Sequence, residues 1–209
     1  MIPPAARLAA LQVASDTVSF TEDAEASVAA ALAERPAIVL TGLLAPEFRR
    51  MLDPALRRPF VEQRVEGLPG MRQVEPGIQP ASRALELALR RAPLLRWLER
   101  VAGCGPLIRV EGEVAEHRPG GEDYLSWHQD MHKPGRKLAL VIDLSDARYK
   151  GGILELRDRQ SKQLLIRHHH DQPGSALLFR IDENLEHRVL PVTSGGPRRV
   201  FACGFHGAA

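Results

Sequence analysis

His128 and Asp130 stand two positions apart, and His187 and Arg198 follow, the arginine eleven residues after the second histidine. On an extended segment residues i and i+2 point to the same side, so His128 and Asp130 can reach one ion. Joined by His187 from a distant strand, they supply two imidazoles and one carboxylate. That set occupies one face of an Fe(II) ion and leaves the other positions open for substrate atoms and oxygen. Arg198 opens the last apolar run and carries a planar fork of donors suited to an acidic ligand. A bare His-X-Asp says little, because ordinary surface or satisfied core histidines are far commoner, so the elements that position it decide.

From Gly105 onward those elements are short β-type runs bounded by turn residues, at 107–117, 138–144, 153–157, 163–168, 175–180, 187–190 and 199–205. Their number and spacing predict a two-sheet jelly roll over 105–207. In Leu107 to His117, Arg109, Glu111, Glu113 and His117 share one face and Ile108, Val110 and Val114 the other. The polar face suits either a ligand-holding interior or a solvated exterior. Residues 1–104 read as a mainly helical flank. Helical spacing covers 24–34 and Pro36 ends it; 37–41 is a short strand. Ala45-Pro46-Glu47 opens a helix carrying Phe48, Met51, Leu52 and Leu56, and the Gly- and Pro-punctuated stretch from Glu62 to Gln79 reads as a loop. Ser82 to Ala102 forms two helices or one kinked at Pro93, with Gly103 as a left-handed cap.

A chain of 209 residues fits one domain, 1–209, with a sizeable core. The 28 Lys and Arg nearly balance the 26 Asp and Glu, so no global field draws the chain to nucleic acid or to an anionic membrane, and an acidic ligand must be held locally. Two distant cysteines, Cys104 and Cys203, argue for free thiols over an extracellular disulfide framework. Apolar runs fall short of a membrane span, and the expected address is the cytoplasm. Oligomeric state is not written in the sequence.

Four segments share one order: Tyr124-Leu125-Ser126-Trp127-His128-Gln129-Asp130, Gly151-Gly152-Ile153-Leu154-Glu155-Leu156, Pro173-Gly174-Ser175-Ala176-Leu177-Leu178-Phe179, and His187-Arg188-Val189-Leu190-Pro191-Val192. In this the chain resembles the 2-oxoglutarate- and Fe(II)-dependent oxygenases, in their prolyl-hydroxylase-like branch. The resemblance covers roughly half the chain. It implies a mainly β fold with N-terminal helices, a double-stranded β-helix (jelly roll, cupin-like) flanked by helices. It implies iron held by His128, Asp130 and His187, with 2-oxoglutarate and O2 as co-reactants. Oxidative decarboxylation to succinate and carbon dioxide would accompany hydroxylation of an unactivated C–H bond; desaturation or ring formation would use the same ligands. A cupin of the germin kind would want a second histidine where Asp130 stands, and a related halogenase would lack the carboxylate.

The resemblance also implies that Arg198, seven residues before Phe205, clamps the far carboxylate of 2-oxoglutarate, with Arg199 as the lesser candidate. His117 stands where relatives usually have a tyrosine and is assigned to the cosubstrate pocket. Val200 and Asp143 depart from the family's pattern. A carboxylate at 143 would repel 2-oxoglutarate unless a cation such as Lys137 intervened. The cluster His168-His169-His170 is set aside as a metal site because consecutive side chains alternate between faces, and reads as a polar turn before Asp171. His132 reads as a solvated loop residue; Glu122, Asp123, Tyr124, Trp127 and Arg180 are placed at the mouth. The implied substrate is an amino-acid residue, proline-like or other, in a peptide or protein, with a free amino acid or small metabolite as the alternative. A non-catalytic 2-oxoglutarate or metal sensor is the competing class, and repair of alkylated nucleic acid is disfavoured by the charge balance.

Overall fold

The computed structural model describes residues 4–64, 69–130 and 135–208. Before the jelly roll come β1 (Ala6–Leu8), β2 (Leu11–Val13), β3 (Val18–Phe20), α1 (Ala24–Glu34), β4 (Ala37–Leu40), α2 (Pro46–Leu56), β5 (Val61–Arg64), β6 (Gly70–Val74), α3 (Pro80–Leu89) and α4 (Ala92–Ala102). The helices form where apolar residues recur at three and four. Val28 and Leu32 of α1, Phe48, Leu52 and Leu56 of α2, Leu85 and Leu89 of α3, and Leu94, Trp97, Leu98 and Val101 of α4 are all buried. Pro93 sits in the first turn of α4, where its missing N–H costs nothing, so Ser82 to Ala102 folds as two helices. Gly103 closes α4 in the left-handed region, φ 60°, as the sequence predicts.

Within the stretch from Glu62 to Gln79, expected as a loop, β5 and β6 instead pair antiparallel and β6 also pairs with β7 and β8; residues 65–68 lie outside the described residues. Pairing with distant strands, not local propensity, makes those segments extended. Glu75, buried directly after β6, accepts from the Ala81 and Ser82 backbone N–H groups at 2.8 and 2.9 Å and caps α3. The Ser82 hydroxyl in turn accepts from Val114 N–H at 2.9 Å, which fastens α3 to the barrel wall.

The jelly roll comprises β7 (Leu107–His117), β8 (Tyr124–His128), β9 (Arg136–Asp143), β10 (Tyr149–Gly151), β11 (Leu154–Asp158), β12 (Leu164–His168), β13 (Ala176–Arg180), β14 (Leu185–Val189), β15 (Val192–Gly195) and β16 (Arg198–Gly207). One curled sheet runs β1-β4-β13-β9-β16-β7-β6-β8-β14-β11-β12, and apart from the parallel β1/β4 pair its ladders are antiparallel. This is the double-stranded β-helix expected from the sequence. Period-two alternation separates two cores. Ile38, Leu138, Leu140, Leu178, Phe201 and Phe205 face the helices. Val39, Ala139, Val141, Leu177, Phe179, Leu154, Leu156 and Val200 face one another inside the barrel. Both cysteines are free thiols. Among the described residues no helix is long and apolar enough to cross a membrane.

The β7 alternation resolves into both of its readings. Val110 and Val114 pack on the helices while Ile108 overhangs them, exposed. On the opposite face Arg109 and Glu111 are solvated at one end of the strand, and His117 is buried at the other.

Candidate active site

Strand β8 pairs with β14 so that His128 lies directly opposite His187, and the two imidazole centroids are 4.1 Å apart. Asp130 follows on the same side as His128. One ligand atom from each of His128, Asp130 and His187 falls within 4.8 Å of the other two. The His128 Nδ1–H donates to the Ser126 carbonyl at 2.8 Å, which leaves Nε2 free to face an ion and fixes the ring, as metal-binding histidines are commonly held. Burial and the neighbouring imidazole hold His187 down at about 3 against the opposing pull of Asp130, so its ring is neutral and able to ligate. Phe179 meets His187 edge-on, centroids 5.3 Å apart. Arg136, crossing from β9, forms an ion pair with the Asp130 carboxylate. Two imidazoles and one oriented carboxylate on adjoining strands fit Fe(II) in type, number and spacing.

Strand β16 settles which way its two arginines point. Arg198 shares a face with Val200 and Ala202, toward the barrel interior; Arg199 shares one with Phe201 and Phe205, toward the helices. Arg199 is satisfied there, donating to Glu116 at 2.6 and 3.1 Å, with its guanidinium 5.2 Å from the Phe60 ring. Arg198 is 1 % exposed, one of the largest fully buried side chains in the protein. Its Nη1 donates to His117 Nδ1 at 3.3 Å, whereas its Nε and Nη2 have no hydrogen-bond partner. Gly152 makes room for it: a Cβ there would lie 2.7 Å from Arg198 Cδ.

The surroundings of Arg198 differ from expectation. His168 and His170, read from the sequence as a polar turn, are buried beside it, because His168 continues the inward face of Ile166 on β12 and the extended chain brings His170 back to that side. His168 Nε2 lies 3.3 Å from His170 Nδ1. Burial first, and the Arg198 charge second, lower His168 to about 4 and hold His117 and His170 well below the ordinary range, so all three imidazoles are neutral at pH 7. Tyr149 of β10 is pushed up to about 12 by burial, and its hydroxyl lies beside Ser145 and Arg198 without a well-formed hydrogen bond. Asp143 is buried in the same region; burial raises it, and the Ser145 N–H at 3.0 Å and the Arg198 and Arg49 charges oppose that rise. Lys137 is exposed and not among the cations that act on Asp143.

Three residues placed at the mouth have other work. Asp123 is buried and accepts from Arg118 N–H at 2.7 Å. Trp127 lies between the guanidinium groups of Arg157 and Arg188, 4.0 and 4.5 Å from its ring. Arg180 donates to the Ala102 carbonyl at 2.7 Å and caps the end of α4. His132 lies outside the described residues.

Residues 113–206 match the family model described as the 2OG-Fe(II) oxygenase superfamily. No curated protein sequence matches the chain. Among solved structures, a Pseudomonas putida prolyl-4-hydroxylase is similar at TM-score 0.63 and 20% identity, over 88% of this chain and 100% of that one. A Trichoplax adhaerens prolyl hydroxylase, in complex with a hypoxia inducible factor oxygen degradation domain peptide fragment, aligns at TM-score 0.59 and 16% identity, over 87% and 88%. The non-heme alpha ketoglutarate dependent epimerase SnoN from nogalamycin biosynthesis aligns at TM-score 0.65 and 16% identity, over 88% and 83%. At these identities the likenesses are of fold.

Proposed function

We propose that this chain is a 2-oxoglutarate-dependent dioxygenase of the 2OG-Fe(II) oxygenase superfamily and that it hydroxylates an unactivated C–H bond in an amino-acid residue of a peptide or protein; the family-model match over residues 113–206 and the fold support it. The observation that carries the site assignment is the joint presence, in one barrel, of the His128, Asp130 and His187 ligand set and of an inward, fully buried guanidinium with two unpartnered donors. Such donors are rare in folded proteins and suit an acidic ligand. In this reading His128, Asp130 and His187 hold Fe(II), and Arg198 receives the far carboxylate of 2-oxoglutarate, with His117 steadying the guanidinium.

When bound, the metal and cosubstrate supply the oxidation: 2-oxoglutarate, O2 and the C–H substrate become succinate, carbon dioxide and the alcohol. The chain's own part is binding and orientation. Arg136 offsets the Asp130 charge and holds its carboxylate in place. Phe179 walls the His187 ring, and Leu154, Leu156 and Val200, with Ala202 packed against them, form an apolar lining that would help exclude water from a bound cosubstrate. Support for a peptide or protein substrate comes from the prolyl hydroxylases among its structural relatives, one of them with a peptide bound. A small-metabolite substrate is the second reading, and the likeness to the epimerase supports it.

The test supplies the protein with Fe(II), 2-oxoglutarate and oxygen and follows succinate against two substrate sets, a peptide pool and a collection of free amino acids and small metabolites. The expected outcome is succinate formation coupled to one added oxygen in a peptide product, traced with isotopically labelled dioxygen. Coupled turnover with the small molecules alone would establish the second reading. Tight 2-oxoglutarate binding with no coupled product from either set would favour a sensor.

A further inference from the structure

The ladder that joins the two histidine-bearing strands is interrupted beside the site. His128 stands opposite His187, but Leu125 stands opposite Val189, so three steps along β8 meet two along β14 and one extra residue bulges from β8. Bulges leave a residue unpaired and re-aim side chains next to functional sites. Ser126 lies within this one, and its carbonyl is the acceptor that orients the His128 ring at 2.8 Å. The cost is register. β8 ends at His128, so on one side of the His128–His187 pair the ladder is irregular and on the other it stops. A slip of one residue moves a strand by about 3.3 Å. The ligand atoms of the triad lie within 4.8 Å of one another, and a metal centre tolerates shifts of only a few tenths of an ångström.

Gln129 supplies a bond where the ladder stops. Standing between His128 and Asp130 on an extended segment, it points to the side opposite both. Its Nε2 donates to the Glu183 carbonyl at 2.7 Å and, at a longer 3.4 Å, to the Leu185 carbonyl. Leu185 opens β14, two residues before His187. One amide therefore ties the backbone between two ligands to the backbone that leads into the third. Its acceptors are themselves held: Asn184 N–H donates to Asp182 Oδ1 at 2.7 Å, and Arg159 N–H, from the turn after β11, donates to the Asn184 carbonyl at 2.7 Å. The task needs a donor at this reach. Asparagine is one methylene shorter, and a glutamate carboxylate would turn acceptors toward two carbonyl oxygens.

We propose that Gln129 is a positioning residue of the metal centre: past the bulge in β8 it restores the register that sets His187 opposite His128. This rests on the reading that His128, Asp130 and His187 hold the metal. Gln129 acts through the backbone of β14, from the side of the strand away from the ligand atoms.

The test uses the full chain without oxygen and compares the wild type, Gln129→Met, Gln129→Asn, Asp182→Ala and His187→Ala. Three quantities are measured: Mn(II) affinity by calorimetry, the absorption bands of the Co(II)-loaded protein, and urea unfolding of the metal-free chain. Gln129→Met, of similar length and without a donor, is expected to weaken Mn(II) roughly tenfold and to shift the Co(II) bands, because the imidazole of His187 is no longer fixed. Gln129→Asn should fall between it and the wild type. Asp182→Ala, which loosens the turn carrying the acceptors, should weaken Mn(II) about threefold. Wild-type Mn(II) affinity and Co(II) bands in Gln129→Met would overturn the proposal. So would a loss of urea stability without either change, since the amide would then merely fasten a turn. If His187→Ala binds Mn(II) like the wild type, the metal assignment falls first, and the proposal with it.

Discussion

The two polar ends of the barrel are built on opposite principles. At the end bearing His128, Asp130 and His187, the groups are set against one another: an imidazole N–H on a backbone carbonyl, a carboxylate on Arg136, a neutral ring against Phe179. At the other end Arg198 is ringed by neutral imidazoles and a phenol, with five buried polar atoms that lack a well-formed hydrogen bond. The first end is organised before any ligand arrives, as a metal site must be to hold one geometry. The second carries a debt of unmade hydrogen bonds that a bound acid would remove. In the proposed reading, preorganisation at one end serves the reaction and unpaired donors at the other serve recognition.

The largest effect expected from breaking this contrast is at the metal end. Asp130→Ala, or His187→Ala, vacates a ligand position and should lower turnover roughly a thousandfold or more, with Fe(II) affinity falling in parallel. Metal titration alongside succinate production checks it. An Asp130→Ala protein that turned over normally would remove the assignment. By contrast, His170→Gln at the other end should leave metal affinity alone.

The two ends were not equally legible in the sequence. His128 and Asp130 could be read because strand periodicity alone aims them together, and the surrounding segments came in a recognisable order. Which of Arg198 and Arg199 points into the barrel is written in the strand's parity: small Val200 and Ala202 inside, large Phe201 and Phe205 toward the helices. The same rule applied to Leu164 through His170 turns His168 inward with Ile166; alternation argues against three adjacent histidines enclosing one ion, but it also puts His168 and His170 on one side, which the polar turn signal before Asp171 conceals. Tyr149 left no such signal, since β10 is three residues long and its position depends on pairing with β15. The strands β5 and β6 were hidden for a related reason, because Gly and Pro composition reports local turns and is silent on distant partners.

Acid should act through the Arg198 end. His168 and His170 ionise in the unfolded chain near 6.5 but are held lower in the folded protein, His168 at about 4. Above pH 6.5 both states are unprotonated and these groups contribute nothing. As pH falls from 6.5 toward 4 the unfolded chain takes up protons that the folded chain refuses, and stability drops by about 3 kcal/mol for His168 alone. Urea unfolding at pH 7.5 and pH 5, in the wild type and in His168→Gln, isolates the effect from other carboxylates: the variant should lose less on acidification. Parallel slopes in the two proteins would mean that His168 titrates normally.

Arg198 and Arg199 offer the next comparison, since neighbouring positions on one strand should fail in different ways. Arg198→Ala removes charge-assisted bonds to the ligand and should weaken 2-oxoglutarate by about 2 kcal/mol, near thirtyfold, with Fe(II) binding kept. Arg199→Ala strands the buried Glu116 carboxylate and should lower stability by roughly 3 kcal/mol while changing cosubstrate affinity little. Binding isotherms and unfolding curves on both variants separate the two. A larger binding defect in Arg199→Ala would place the ligand on the wrong face of β16.

The smallest expected effect is the most diagnostic of how the surroundings of Arg198 are tuned. Asp143 opposes the Arg198 field from the inner face of β9, and its Oδ1 accepts the Ser145 N–H at 3.0 Å. Asp143→Asn keeps the shape and that acceptor but removes the charge. Freed of an internal competitor, Arg198 should hold 2-oxoglutarate a few-fold tighter, a gain of roughly 0.5–1 kcal/mol, small because burial already raises Asp143 and limits its ionisation. The gain should vanish in an Arg198→Ala background, since the two residues act through one interaction. Calorimetry on the single and double variants measures it. Weaker binding in Asp143→Asn would reverse the sign of the argument, showing that the carboxylate holds the guanidinium in its receiving position and that this orientation outweighs the charge it withdraws.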